Sequence, residues 1–416
     1  MSIEKISQKM NAPRIKRKRE KTIKVWKTVA ASALALAFVV NAGAATGDSS
    51  PSAPLKVGFL ATLSGPEAPS GQGMVNGFKL YLADHGDELG GRKVDLVVAN
   101  DGGHPASGLA AAEKLILQEH VDVIVGVTLS PVALAIRDLV TRSKIPLIIS
   151  NAGANAITGK QKSLYIWRVS FANCQPDYAM ASYVKSQIGS GSVYVIGRDD
   201  AAGHEHTQGF VDAFTAAGGK IAGTAYPPFG TTQNYQPYLS RIQQSGAKAT
   251  YAFFAGSEAV MFVTQYQQFG LKGTIPLYAS GYLTADGHII NSEGAAAVGI
   301  QTALNYSPRL DNPQNKTFVA SYEKAYHVVP DLYAEQSWDA GTFIDKGLQA
   351  SGGAVGEKLV TAFGKVGSFN GPRGDVTMDP DHNAVQTWYL LEGAKTDNGY
   401  ENVVKKSLGI VTHACQ

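Results

Sequence analysis

Short apolar runs, each followed by a stretch with helical spacing, recur along most of the chain. Residues 56–63 (KVGFLATL) form such a run, which ends at Ser64-Gly65-Pro66. Met74, Phe78, Tyr81 and Leu82 then repeat at helical intervals within residues 71–85. Residues 94–99, 121–127 and 146–150 read as further strands, and residues 106–119 and 131–143 as helices. Strands without alternating polar positions are buried on both faces, which implies a parallel sheet covered by helices above and below. The pattern restarts at residue 192. Residues 192–197, 221–226, 250–255 and 276–279 read as strands, with helices near 205–217, 235–245 and 257–269. A helix-rich stretch over 313–366 follows, then strands at 375–378 and 386–391.

Two successive doubly wound units, with no long flexible linker between them, predict an α/β protein of two lobes separated by a cleft. The length supports this, because 416 residues exceed what one core ordinarily holds. Ligands of such sheets sit outside the carboxyl ends of the strands, where loops and helix N-termini converge.

The first segment changes the charge balance. Lys5, Lys9, Arg14, Lys16, Arg17, Lys18, Arg19, Lys21, Lys24 and Lys27 stand against two acids, Glu4 and Glu20. An uncharged stretch, residues 28–40, and the small residues Asn41-Ala42-Gly43-Ala44-Ala45 follow. These are the parts of a secretory signal peptide cleaved after Ala44. The apolar run falls short of the ~20 residues that span a bilayer, so the mature protein is expected to be free of the membrane. Without those ten basic and two acidic residues, the chain's 37 and 34 become 27 and 32, a net charge near −5 instead of +3. Nothing basic remains to suggest nucleic acid as a partner.

Candidate chemistry is sparse. Cys174 and Cys415 are the two cysteines; they make no metal cluster, and sequence alone leaves their pairing open. His204 and His206 stand two apart at the start of a helix and point different ways, so no metal is expected. Gly65, Gly71 and Gly73 do not form a G-x-G-x-x-G phosphate fingerprint. No G-x-S-x-G elbow, H-E-x-x-H or other nucleophile-and-base set is present, which argues against an enzyme, and no cofactor is implied. Asp199-Asp200 reads as a helix cap, and Tyr322, Tyr326 and Tyr333 as a packing stripe.

Several segments, in order, resemble the branched-chain amino acid (Leu/Ile/Val)-binding family of type I periplasmic solute-binding proteins. They are KVGFLATLSGPEAPSGQGMVNG from Lys56, VDVIVGVTLSPVALAIRDLV from Val121 and IPLIISNAGANAIT from Ile145. YIWRVSFANCQPDYA from Tyr165, GRDDAAGHEHTQGF from Gly197 and SGAKATYAFFAG from Ser245 continue the series. The resemblance implies two Rossmann-like lobes with parallel sheets, joined by three crossovers that act as a hinge. These fall near residues 173–175, near 304–306 and before the strand at 386. Lobe 1 would then take residues 54–173 and 305–385, and lobe 2 residues 174–304 and 386–416, behind a signal peptide of residues 1–44. It also implies a periplasmic location, a small-molecule ligand and an ABC transporter permease as partner.

The resemblance places ligand contacts at Ser130, whose hydroxyl would hold a carboxylate, and in the loop Asn151-Ala152-Gly153-Ala154, which would offer backbone groups. Ser130 precedes Pro131, so it also reads as a helix N-cap. Ala202 stands where the family carries a ligand-covering aromatic. Gly281 and Tyr282 stand where amino acid-binding members carry the acid that holds the ammonium. Phe254, Tyr282 and Tyr235 are candidate new aromatic contacts, and Arg168 a candidate anion contact. Glu258 and Asp200 are the alternatives for a substitute negative charge. A buried ammonium without a counter-charge is costly, so the preferred ligand is a small carboxylic acid without an amine, aromatic acids included. Branched-chain amino acids, short amides, and a role as ligand sensor for a signalling partner remain open alternatives.

Overall fold

The computed structural model describes residues 53–159, 162–397 and 399–412. The signal segment expected at residues 1–44 lies outside them, as does Cys415; Cys174 is disulfide-bonded.

The first sheet collects β1 (Leu55–Ala61), β2 (Glu88–Leu89), β3 (Arg92–Asn100), β4 (Val123–Gly126), β5 (Leu147–Ile149) and β6 (Ile166–Arg168). Helices α1 (Ala68–Asp84), α2 (Pro105–Leu117) and α3 (Ser130–Ser143) alternate with them. The strand order is β2-β3-β1-β4-β5-β6, and every pair except β2–β3 is parallel. Successive strand residues feed opposite faces. Phe59, Val123, Val125 and Ile148 join one core cluster, while Leu60, Ile124, Leu147 and Ile149 join another with α2 and α3. That two-sided burial is why these strands carry no polar alternation.

Helix α4 (Gln175–Ile188) leads into the second sheet, which gathers β7 (Ser192–Gly197), β8 (Lys220–Ala225), β9 (Ala249–Phe253), β10 (Leu277–Ser280) and β11 (Gln301–Leu304) in parallel. Its helices are α5 (Ala201–Ala216), α6 (Gln236–Gln244), α7 (Gly256–Gln268) and α8 (His288–Glu293). The chain then runs through α9 (Pro313–Tyr326), α10 (Leu332–Ser351) and α11 (Glu357–Phe363) and a small antiparallel sheet of β12 (Ser368–Gly371), β13 (Gly374–Met378) and β14 (Ala384–Val385). Helix α10 packs on α1 of the first sheet, so closely that a Cβ on Gly77 would lie 1.9 Å from the Ala334 carbonyl. Strands β15 (Thr387–Thr396) and β16 (Gly399–Ile410) return to the second sheet and complete the order β16-β15-β11-β10-β9-β7-β8.

The chain therefore passes between the two lobes three times, through residues 169–174, 305–312 and 386. Gln386 ties these passages together: its amide donates to the Ser170 carbonyl (2.8 Å) and its carbonyl accepts from Asn305 Nδ2 (2.8 Å). Among the described residues, no helix is long and apolar enough to cross a membrane.

Candidate functional site

The loops after β1, β4, β5, β7, β9 and β10 all leave the carboxyl ends of parallel strands, and they meet around one enclosed space. About 320 Å³ there is unfilled by protein atoms. Five helices bring their N-terminal ends to its wall. Glu67 precedes α1, Ser130 opens α3, Ala202 is in the first turn of α5, Ala255 precedes α7 and Tyr333 is in the first turn of α10. The first amide N–H groups of a helix lack intrahelical acceptors and carry its positive dipole end. Asp200 caps α5 and Asp331 caps α10 with their side chains, whereas α3 and α7 have no side-chain cap, so the anion-favouring ends are those of α3 and α7.

Ser130 is 3 % exposed and does not cap α3; Leu129 holds the N-cap position, with no side-chain capping bond. The sequence-based capping role is thereby corrected. The Ser130 hydroxyl instead accepts a long contact from Asn173 Nδ2 (3.4 Å) and faces the cavity. Asn151, Ala152 and Gly153 line the same side. The Asn151 amide donates to the Thr128 carbonyl (2.6 Å), the Ala152 N–H to the Val127 carbonyl (3.0 Å), and the Gly153 carbonyl accepts from the Asn173 N–H (2.8 Å). Gly153 leaves room for the Asn173 side chain: a Cβ there would lie 2.0 Å from Asn173 Oδ1 and would displace that amide.

From the opposite lobe come Tyr282, Phe253 and Ala202. The Tyr282 hydroxyl donates across the cleft to Asn151 Oδ1 (3.1 Å), and burial raises its pKa, keeping it a donor. Phe253 and Tyr333 stand edge-on and tilted to Tyr282, each with ring centroids 5.9 Å away. Glu205 forms a second bridge between lobes, accepting from the Asn155 N–H (2.9 Å) and Asn173 Nδ2 (2.8 Å).

Five candidate contacts singled out from sequence, Arg168, Ala154, Gly281, Phe254 and Tyr235, do not reach this wall, and neither do the alternative acids Glu258 and Asp200. Arg168 is fully buried behind the loop, where its guanidinium donates to the Ala154 carbonyl (2.8 Å), Thr158 Oγ1 (2.6 Å) and Asn383 Oδ1. Burial pulls its pKa down to about 10, and it fixes the loop instead of meeting solvent. Ala154 is packed away with its carbonyl so engaged. Gly281 backs onto Leu304. Phe254 turns into the core against Phe262 and Tyr235. It is the neighbouring Phe253 that faces the cleft, because adjacent residues of an extended strand point to opposite faces. Tyr333, read from sequence as part of a packing stripe, is on the wall. The two histidines diverge, as their spacing suggests: His204 meets Asp199 (2.7 Å) and His206 meets Asp177 (2.7 Å). Among the described residues no cluster of three or more His, Cys, Asp or Glu could hold a metal.

Sequence reasoning missed Glu67 and Arg198, which form an ion pair across the cleft with Arg198 Nη1 2.7 Å from Glu67 Oε1. Each is 3 % exposed. Arg198 directly follows β7, a position at a strand's carboxyl end that should have drawn notice.

The sequence model of the family described as periplasmic binding protein matches residues 54–399. The chain belongs to this family. Among curated members, Leu/Ile/Val-binding protein homolog 6 of Brucella melitensis biotype 1 is 31 % identical over 379 residues, 90 % of this chain and 94 % of the relative. Among solved periplasmic binding proteins, an ABC transporter solute-binding protein of R. palustris in complex with benzoate is 34 % identical. Its TM-score is 0.80, over 87 % of this chain and 98 % of its own. One from Rhodopseudomonas palustris BisB5, in complex with 3,4-dihydroxy benzoic acid, is 30 % identical, with a TM-score of 0.80 over 86 % and 98 %. The fold and family expected from sequence are thus borne out. The chain is a solute-binding protein of a family whose members bind without catalysing.

Proposed function

We propose that this protein captures a small aromatic carboxylate in the cleft between its lobes, in the periplasm, and delivers it to a membrane permease. The observation that carries the reading is the charge pattern of the wall. The uncapped N-termini of α3 and α7 face a space whose single lining acid among the described residues, Glu67, is already paired with Arg198. A carboxylate gains from those N-termini, whereas an α-ammonium meets no unpaired counter-charge and pays its desolvation.

The rest of the wall supports a flat apolar body. Tyr282, Tyr333, Phe253 and Leu129 supply ring faces, ring edges and aliphatic surface. In this pose the carboxylate sits at Ser130 and the 151–153 loop, with the ring between Phe253, Tyr282 and Tyr333. The benzoate-type complexes of the two R. palustris proteins point the same way. The name of the Brucella relative favours the second reading, a branched-chain amino acid, against which the paired Glu67 speaks.

A thermal-shift panel tests the choice, since a ligand that binds only the folded state raises its midpoint. Benzoate and 4-hydroxybenzoate should raise it and leucine should not. A shift with leucine alone would return the site to the amino acid class.

A further inference from the structure

One guanidinium in this cleft is surrounded by three acids. Arg198 donates to Glu67 from the facing lobe (2.7 Å), lies 3.1 Å from Asp200 Oδ2 and has Glu258 as a further acidic neighbour. It is also clamped over two rings, with its Cζ 4.5 Å from the Phe229 centroid and 5.3 Å from that of Phe253. Burial alone would lower its pKa, but Asp200, Glu67 and Glu258 outweigh burial and hold it charged. Glu67 itself is kept in place by Ser70, whose hydroxyl donates to Oε2 (3.0 Å). Glu258 accepts from the Gly230 N–H (2.8 Å).

Without its cation this corner would be an acidic pocket on the cavity wall, with the chemistry that an α-ammonium requires. With the cation in place, Glu67, the acid on the cavity wall, is engaged by Arg198 on one oxygen and by Ser70 on the other. We propose that the Arg198–Glu67 pair is the specificity filter of the cleft: it admits carboxylates that lack an α-amine and excludes amino acids of the same shape. This inference rests on the aromatic-carboxylate reading above and deepens it. It also assigns the loss of amino acid binding to a residue that fills the ammonium site, not merely to the lack of an acid after β10.

Two matched ligand pairs isolate the amine: phenylacetate with phenylglycine, and 4-methylpentanoate with leucine. Titration calorimetry on the full protein should show the amine-free member bound at least tenfold more tightly. Arg198→Gln should reduce that ratio by about tenfold or more by releasing Glu67 to the ammonium. Combining it with Glu67→Gln should restore part of the ratio, the remainder being held down by Asp200 and Glu258, which lose their cation in both variants. Glu67→Gln alone should widen the ratio about threefold or more, and it keeps the test decisive if Arg198→Gln does not fold. Ratios unmoved in the folded variants, with benzoate still bound, overturn the filter and leave the aromatic-carboxylate reading standing. A wild-type protein that binds the amino acids and ignores benzoate overturns both.

Discussion

Ser130 opens α3 without capping it, and its hydroxyl has only a long contact with Asn173. Removing it should therefore spare the fold and harm binding. Ser130→Ala is expected to weaken benzoate by roughly 1.5–3 kcal/mol, the range for a hydrogen bond to a charged group, with an unchanged thermal midpoint of the unliganded protein. Calorimetry and a melting curve on the same sample read both. A loss of stability with unchanged affinity would make the hydroxyl structural. At the same scale, burial pushes the carboxyls of Asp286 and Asp331 up to about 7. In the unfolded chain they titrate near 3.8, so between these values the native state holds protons that the unfolded chain has released. Stability from these groups is present at low pH and is lost as pH rises through about 7. Asp331→Asn should therefore flatten the pH dependence of the melting midpoint between about pH 5 and 7.5. Buried His206, whose pKa is lowered by burial, acts in the opposite direction below its usual value, which makes the comparison with the variant the informative one.

The single-residue contacts were the least legible part of the sequence. Ser130, Asn151, Ala152, Gly153, Ala202 and Tyr282 were named from it and lie on the cavity wall. The choice of Phe254 over Phe253 shows how narrow the margin is, because one step along a strand reverses the side chain. Arg168 and Arg198 both follow a strand's apolar run, and sequence offers no means of telling the arginine that fixes a loop from the one that lines the cleft. The cross-cleft partners Glu67 and Arg198 are 131 residues apart, so nothing local pairs them.

At the level of elements, the strands and helices of both parallel sheets were legible because burial on two faces writes continuous apolar runs. The long hairpin of β15 and β16 was only half so. Strand β16 exposes Lys405 and Lys406, and its buried residues are the polar Glu401 and Asn402, which leaves a weak apolar signal. The three passages between lobes carry no sequence periodicity, yet Gln386 joins them through Ser170 and Asn305. Gln386→Leu leaves those partners buried without a bond, at a cost of roughly 1–3 kcal/mol in stability. It should also loosen the hinge, so that small-angle scattering of the unliganded protein gives a larger radius of gyration than wild type. An unchanged radius would confine Gln386 to local packing.

At the scale of the molecule, family, fold and the general position of the cleft follow from an in-order series of segments and from the doubly wound pattern. The proposed ligand class rests on charge compensation inside the cleft, a three-dimensional property that composition does not contain. An acid on the wall would by itself suggest an amino acid ligand; the same acid, facing Arg198 across the cleft, argues for a carboxylate without an amine. The most direct test of this account is a calorimetric titration of the purified protein with benzoate and, separately, with leucine. The account predicts saturable one-to-one binding of benzoate and no measurable heat of binding for leucine; one-to-one binding of leucine with none for benzoate would contradict it.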